Sequence, residues 1–175
     1  MLPDPIHPLI VHFPVVLAIL VPLAALWALV AARRAPSSRP AWLAVVALAA
    51  VLVGSTWLAV ETGENEEERV EEVLNSEAPL SRHEERADQF LAITVVALAL
   101  SLAGLAPGRV GGIGRAAATV ATLVLIPAGI RVGHSGGELV YVHGAAQAYT
   151  TGSPTTPRAV ASEDREGSGR TEDRH

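Results

Sequence analysis

The sequence predicts an all-α membrane protein: a four-helix transmembrane bundle, a short extracytoplasmic amphipathic helix and a disordered C-terminal tail. Half of the 175 residues are hydrophobic, and the mean hydropathy is positive at +0.35. The charged residues are confined to a few segments, and four apolar stretches lie between them. A soluble domain needs charge spread over its whole surface, so this segregation favours helices embedded in a bilayer.

The four apolar stretches cover about residues 9–32, 41–60, 87–106 and 113–132. Each is close to the roughly 20 residues with which an α-helix crosses about 30 Å of hydrocarbon. None alternates with the period of a strand, and strands would leave unpaired edges in lipid. The stretches are therefore predicted to be four transmembrane helices.

Local signals define the ends of the last two spans. Ser81, followed three residues later by Glu84, has the spacing of a capping box and predicts that the third helix starts there. The glycine-rich residues 111–114 predict a loop leading into the fourth span.

The charges of the loops predict the orientation. Arg33, Arg34 and Arg39 lie between the first two spans, and Arg109 and Arg115 lie between the last two, with no acid in either loop. The loop between the second and third spans is dominated by glutamates. Because arginine-rich short loops stay in the cytoplasm, both termini and the acidic loop are expected outside the inner (plasma) membrane.

The sequence also predicts the state of the first span and of the segments outside the four spans. The first span is expected to remain uncleaved, because no positive charge precedes it. Residues 64–75 predict a short amphipathic helix with Val70, Val73 and Leu74 on its apolar side and solvated glutamates on the other. Residues 1–149 form the membrane domain, and residues 150–175, rich in Ser, Thr, Gly, Pro and charge, form the tail.

Five of the six histidines are expected at the extracytoplasmic face in this topology. They come from both ends of the domain and from its middle: His7, His12, His83, His134 and His143, while the sixth, His175, ends the chain. Ionisable groups near hydrocarbon are costly and usually face the interior of the bundle with a partner. The histidines therefore predict a polar cluster at one face of the membrane.

Three further charged residues are expected near this cluster. Glu61 closes the second span, and Arg131 lies near the end of the fourth, so a Glu61–Arg131 ion pair is predicted. Glu138 would share a helix face with His134, four residues earlier, if the helix continued that far. The glycines at positions 133, 136 and 137 weaken the expectation of that continuity and indicate either a close backbone approach or a turn.

Two kinds of cofactor fit these residues. Haem b would be held axially by His12 together with His134 or His83, and Arg131 would meet a propionate. A transition-metal ion would instead be held by imidazole and carboxylate ligands; the candidates are His7, His12, His83, His134, Glu61, Glu138 and His143. The chain has no cysteine, which excludes thiolate ligands, iron–sulfur clusters and covalently attached haem.

The third interpretation is a protein without a cofactor. The histidine face would then be a hydrogen-bonded cap or a docking surface for a second membrane subunit. Abundant small residues favour close helix packing within one chain or between the two chains of a homodimer. Besides the lipid bilayer, a redox partner is the other expected contact, and no nucleic acid is expected. Motifs of hydrolases and nucleotide-binding enzymes do not occur, so the sequence does not decide whether the protein is an enzyme.

Two terminal motifs resemble a known family. Residues 7–14 read HPLIVHFP, and residues 133–144 read GHSGGELVYVHG. They resemble the bacterial membrane family catalogued as domain of unknown function 2231, over about residues 5–146. The resemblance implies a four-helix membrane domain whose motif residues share one face. Relatives joined to or encoded near cytochrome-like modules point to electron transfer, which is an association and not a chemical argument.

Overall fold

The computed structural model describes residues 5–33 and 39–149. The described elements are α1 (His7–Ile10), α2 (His12–Ala32), α3 (Arg39–Glu64), α4 (Glu67–Glu71), α5 (Ala78–Ala103), α6 (Gly108–Tyr141) and a 3-10 helix (Ala145–Tyr149). Four helical stretches, α1 with α2, α3, α5 and α6, are long and apolar enough to cross a membrane. The predicted all-α fold with four transmembrane helices is confirmed. The predicted tail, residues 150–175, lies outside the described residues.

The four long helices stand at the corners of a square. α2 packs against α3 and α6, and α5 packs against the same two helices, so α2 and α5 are diagonal to each other. Consecutive helices run in opposite directions. We call the end that holds the first residues of α2 and α5 and the last residues of α3 and α6 the histidine end. The opposite end is the arginine end.

A buried cluster at mid-height takes residues from all four long helices. Val21, Leu52, Phe90 and Leu125 are buried together there, with alanines of α2 and α3 between them. Large apolar side chains also cover the outside of the bundle; Trp27, for example, is 63% exposed. In water such a surface would aggregate, whereas in hydrocarbon it is the favourable one.

A polar contact joins three helices at the arginine end. The indole Nε1 of Trp42 in α3 donates a hydrogen bond to the carbonyl of Ser101 in α5, at 2.8 Å. Arg115 of α6 donates from Nε to the carbonyl of Gly104, at 2.8 Å, and its guanidinium lies 5.7 Å from the centre of a Trp42 ring. A Cβ at Gly104 would overlap the indole, so only glycine allows this packing.

The prediction that α5 starts with a capping box is wrong. The helix begins at Ala78, about nine residues before the predicted span, and Ser81 lies in its first turn. The Ser81 hydroxyl donates to the carbonyl of Glu77, at 3.3 Å, instead of capping. Pro79 stands at the start of the helix, where its missing N–H costs nothing.

The prediction that glycines interrupt the fourth helix is also wrong. α6 is continuous from Gly108 to Tyr141, so residues 111–114 and 133–137 are helical. A Cβ at Gly111 would overlap the carbonyl of Ala106, and one at Gly114 would overlap the backbone of α5. The contact at Gly111 is with the turn that precedes α6, whereas at Gly114 the backbones of α5 and α6 approach each other. In lipid, close approach of two helices is a main source of their association, which outweighs the low helix propensity of glycine.

The acidic segment between α3 and α5 is helical over a shorter length than predicted. α4 comprises one turn, Glu67–Glu71, and not the whole of residues 64–75. The predicted apolar side is confirmed in part, because Val70 and Leu74 pack against a buried cluster of Leu80, Leu139 and Ala145. The segment therefore covers the histidine end of α5 and α6.

Gly111→Ala is expected to destabilise the bundle by about 1–3 kcal/mol, because the added methyl group forces α6 away from Ala106. Gly112→Ala is the matched control. A Cβ there meets nothing within 4 Å, so that variant should be neutral or more stable by about 0.5–1 kcal/mol. Unfolding in detergent micelles, followed by circular dichroism, measures both. Equal effects of the two substitutions would contradict the close contact.

Candidate functional site

Two of the five predicted histidines lie between the helices, and three lie on the surface. His7 and His83 are half-buried at the histidine end. His12 and His143 are exposed, and the side chain of His134 is 71% exposed. Among the five histidines, His7 and His83 are therefore the two that lie within the bundle.

His7, at the start of α1, is held by the last turns of α3. Its Nδ1 lies 2.9 Å from the carbonyl of Ala59 and 3.4 Å from the hydroxyl of Thr62. Because a carbonyl can only accept, this Nδ1 carries the proton and donates. A Cβ at Gly63 would lie 3.2 Å from the ring, so glycine lets the imidazole rest against α3. The Nε2 of His7 then keeps its lone pair.

His83, in the second turn of α5, is held by α6 in a similar manner. Its Nδ1 lies 3.1 Å from the hydroxyl of Ser135. That hydroxyl lies 2.9 Å from the carbonyl of Val132 and 3.2 Å from that of Arg131, both in its own helix. We assign its one hydrogen to these carbonyls, so that Ser135 accepts from the Nδ1–H of His83 and Nε2 keeps its lone pair. A Cβ at Gly136 would lie 3.1 Å from this ring.

The two imidazoles share one arrangement at the histidine end. Each rests against a glycine, each has a hydroxyl beside it, and each uses Nδ1 as a donor. His7 and His83 belong to diagonal helices and are close enough to interact electrostatically. Neutral imidazoles oriented through Nδ1 and open at Nε2 are in the state in which histidine binds a metal.

Two imidazoles are an incomplete set of metal ligands. Among residues 5–33 and 39–149, no group of three or more His, Asp or Glu side chains is placed to hold a metal ion. Other coordination positions of an ion bound by His7 and His83 would therefore be filled by solvent or a small ligand.

The other predicted site residues lie apart from this pair. Glu61 and Arg131 are both exposed and belong to diagonal helices, so the structure does not bring together the predicted ion pair. His134 and Glu138 do share a face of α6, as predicted for a continuous helix, with 3.3 Å between Nε2 and Oε1. That pair is exposed.

A carboxylate cluster surrounds Glu84 at the histidine end. Glu84 faces the charges of Glu64, Glu67, Glu71 and Asp88, which come from the end of α3, from α4 and from α5. Their summed field makes this side of the histidine end attractive to cations.

Sequence reasoning missed the most connected residue of the histidine end, Glu66. Its Oε1 accepts hydrogen bonds from the backbone N–H groups of Ile6, at 3.1 Å, and His7, at 3.3 Å. Its Oε2 accepts from the hydroxyl of Tyr149, at 2.6 Å. Glu66 had been expected to be solvated with its neighbours, and no spacing signal distinguishes it. Tyr149 lies 83 positions away along the chain.

A family model described as "Predicted membrane protein (DUF2231)" matches residues 3–148. The matched range contains both half-buried histidines and ends one residue before Tyr149. No curated protein and no solved structure matches the sequence.

Ser135→Ala is expected to destabilise the protein by about 1 kcal/mol, because the Nδ1–H of His83 loses its hydroxyl acceptor. Ser81→Ala is the matched control, since Ser81 is exposed and bonds only within its own helix turn. Unfolding in micelles measures stability, and ¹⁵N NMR of the imidazoles reports which nitrogen carries the proton. An unchanged His83 tautomer and stability in Ser135→Ala would contradict the assigned hydrogen bond.

Proposed function

We propose that this chain, which belongs to the family of predicted membrane proteins DUF2231, binds a transition-metal ion through His7 and His83 for electron transfer. The observation that carries the proposal is the shared arrangement of the two imidazoles. Both Nδ1 atoms are engaged with the neighbouring helix, which leaves both Nε2 atoms as ligands. Imidazole suits copper, iron and zinc, and the first two can carry an electron.

The carboxylates at the histidine end also support a cation. Those around Glu84 lie at the same end of the bundle as the pair and would concentrate a metal ion there, although the cation Arg86 also lies within electrostatic range of His83. Two protein ligands leave coordination positions open, so the ion would be exchangeable or able to take a small ligand.

The geometry favours a single ion over haem b. His7 rests against Gly63 of α3, and His83 rests against Gly136 of α6. Axial ligation of a macrocycle needs imidazoles that project into a cleft between helices, and neither ring does so. The pair His12 and His134 fits haem less well, because both side chains are exposed and an attached macrocycle would lie on the outside of the bundle.

The second candidate function is a structural cap without a cofactor. It is favoured by the hydrogen bonds that each imidazole already makes to a neighbouring helix. Buried polar groups that are satisfied in this manner also occur where histidine has no chemical role. The two candidates differ in whether purified protein retains a metal.

We further propose that the histidine end faces the extracytoplasmic side of the inner membrane. The support is the positive-inside distribution of charge: Arg33, Arg109 and Arg115 lie at the arginine end, and the glutamate-rich segment lies at the other. The metal would then be exchanged with the extracytoplasmic space.

Metal analysis and an absorption spectrum of detergent-purified protein, expressed with added copper, iron, zinc and a haem precursor, test the function. About one transition-metal ion per chain without a Soret band is expected. His7→Ala and His83→Ala should each lower the retained metal at least about tenfold. The exposed controls, His12→Ala and His134→Ala, should retain it. A Soret band that corresponds to one haem per chain would instead identify haem b as the cofactor. If the purified protein held neither metal nor haem, the structural cap without a cofactor would be the function that remains.

The orientation is tested with single cysteines, because the natural chain has none. Glu68→Cys lies at the histidine end and Arg109→Cys at the arginine end, and both positions are exposed. A membrane-impermeant maleimide applied to intact cells should label Glu68→Cys at once and Arg109→Cys only after lysis. In cells with a permeable outer envelope, the reverse pattern would place the metal site in the cytoplasm.

A further inference from the structure

We infer that Glu66 is a positioning residue for His7, and that Tyr149 holds Glu66 in place. This inference rests on the proposed metal site and adds a residue outside its ligands. It joins the beginning of the matched range to the residue that follows its end at one carboxylate. We call Glu66 with its three hydrogen-bond donors the Glu66 clamp.

One oxygen of the carboxylate fixes the backbone that carries His7. The N–H groups of Ile6 and His7 stand at the start of α1, where no preceding turn can accept from them. Both point to Oε1 of Glu66, at 3.1 and 3.3 Å. Hydrogen bonds to a charged acceptor are about twice as strong as neutral ones. The backbone of His7 is therefore tied to the turn between α3 and α4.

The other oxygen fixes the carboxylate itself. The hydroxyl of Tyr149 donates to Oε2 of Glu66, at 2.6 Å. The guanidinium of Arg69, one helical turn after Glu66, lies 5.6 Å from the centre of the Tyr149 ring. The ring is thus held by α4 while its hydroxyl holds the carboxylate, so Glu66 has little freedom to turn away.

The position of His7 depends on this clamp more than the position of His83 depends on any comparable contact. His83 lies within the long helix α5, whose own hydrogen bonds fix its backbone. His7 stands in the first turn of α1, where its own N–H has no acceptor within the helix. Without the clamp, its ring keeps only the contacts to Ala59 and Thr62. Loss of contacts that orient a metal ligand typically lowers metal affinity about 10–100-fold.

Substitutions in the Glu66 clamp are expected to lower the affinity for Cu²⁺ to different degrees. Glu66→Ala removes every hydrogen bond of the clamp and should weaken Cu²⁺ binding about 10–100-fold. Tyr149→Phe keeps the bonds to Ile6 and His7 and should weaken it less. Glu66→Gln keeps an oxygen that can accept from both N–H groups and should recover most of the loss. The matched control is Glu68→Ala, which removes an equal charge at an exposed position of the same segment.

The experiment is a Cu²⁺ titration of the full chain in detergent micelles, with two further readouts. Electron paramagnetic resonance of the bound Cu²⁺ shows how many nitrogen ligands remain, and one should be lost in Glu66→Ala. Hydrogen exchange of residues 5–12 should become faster in the same variant without metal. Global unfolding should change little, because the core lies elsewhere.

The outcomes separate the two proposals. Wild-type protein that binds no Cu²⁺ overturns the proposed function. Wild-type protein that binds Cu²⁺ while Glu66→Ala and Glu68→Ala bind it equally well overturns the positioning role alone. Unchanged nitrogen couplings or unchanged hydrogen exchange in Glu66→Ala would also overturn it.

Discussion

Close approach of α5 and α6 is the contact on which the rest of the bundle depends. In lipid, apolar side chains gain little from leaving the surrounding hydrocarbon, so helices associate through tight packing and internal hydrogen bonds. Gly114 lets α6 approach the end of α5 closely, and Gly104 leaves room for Trp42 of α3. Buried hydroxyls along the interior donate hydrogen bonds to carbonyls of their own helices, as Thr94 does to Leu91 at 2.7 Å. Among the described residues, Thr56 is the buried side chain whose hydroxyl has no partner.

The fold could be predicted from the sequence because a bilayer imposes a length and a polarity that hydropathy reports directly. Helix ends were predicted less well. Residues near the histidine end are polar enough to look like loops, yet α5 and α6 continue through them because their backbones must remain hydrogen-bonded close to lipid. Some of the glycines that indicated interruptions are contact points, namely Gly111, Gly114 and Gly136, whereas a Cβ at Gly112, Gly133 or Gly137 would meet nothing within 4 Å. A single sequence does not distinguish these two uses of glycine.

Gathering the histidines at one end was predictable from the order of the spans, but the choice among them was not. Which residues face the interior depends on the rotation of each helix about its axis, and packing sets that rotation. His7 and His12 are five residues apart, which is about 140° around a helix, and the backbone at Val11 between them is helical. One side chain therefore lies towards α3 and the other is exposed. The Glu66 clamp was unpredictable for another reason: hydrogen bonds between residues 83 positions apart leave no local pattern.

The length of α6 links the histidine end to the thickness of the membrane. Its 34 residues extend about 51 Å at 1.5 Å per residue, well beyond the roughly 30 Å of a hydrocarbon core. The excess must tilt the helix or stand in the headgroup layer. Ser135 and Gly136, which hold His83, lie in the last third of this helix. A thicker bilayer would draw that part of α6 towards hydrocarbon, and a thinner one would expose it to water. Lipid composition thereby becomes a control on the hydration of the imidazole pair.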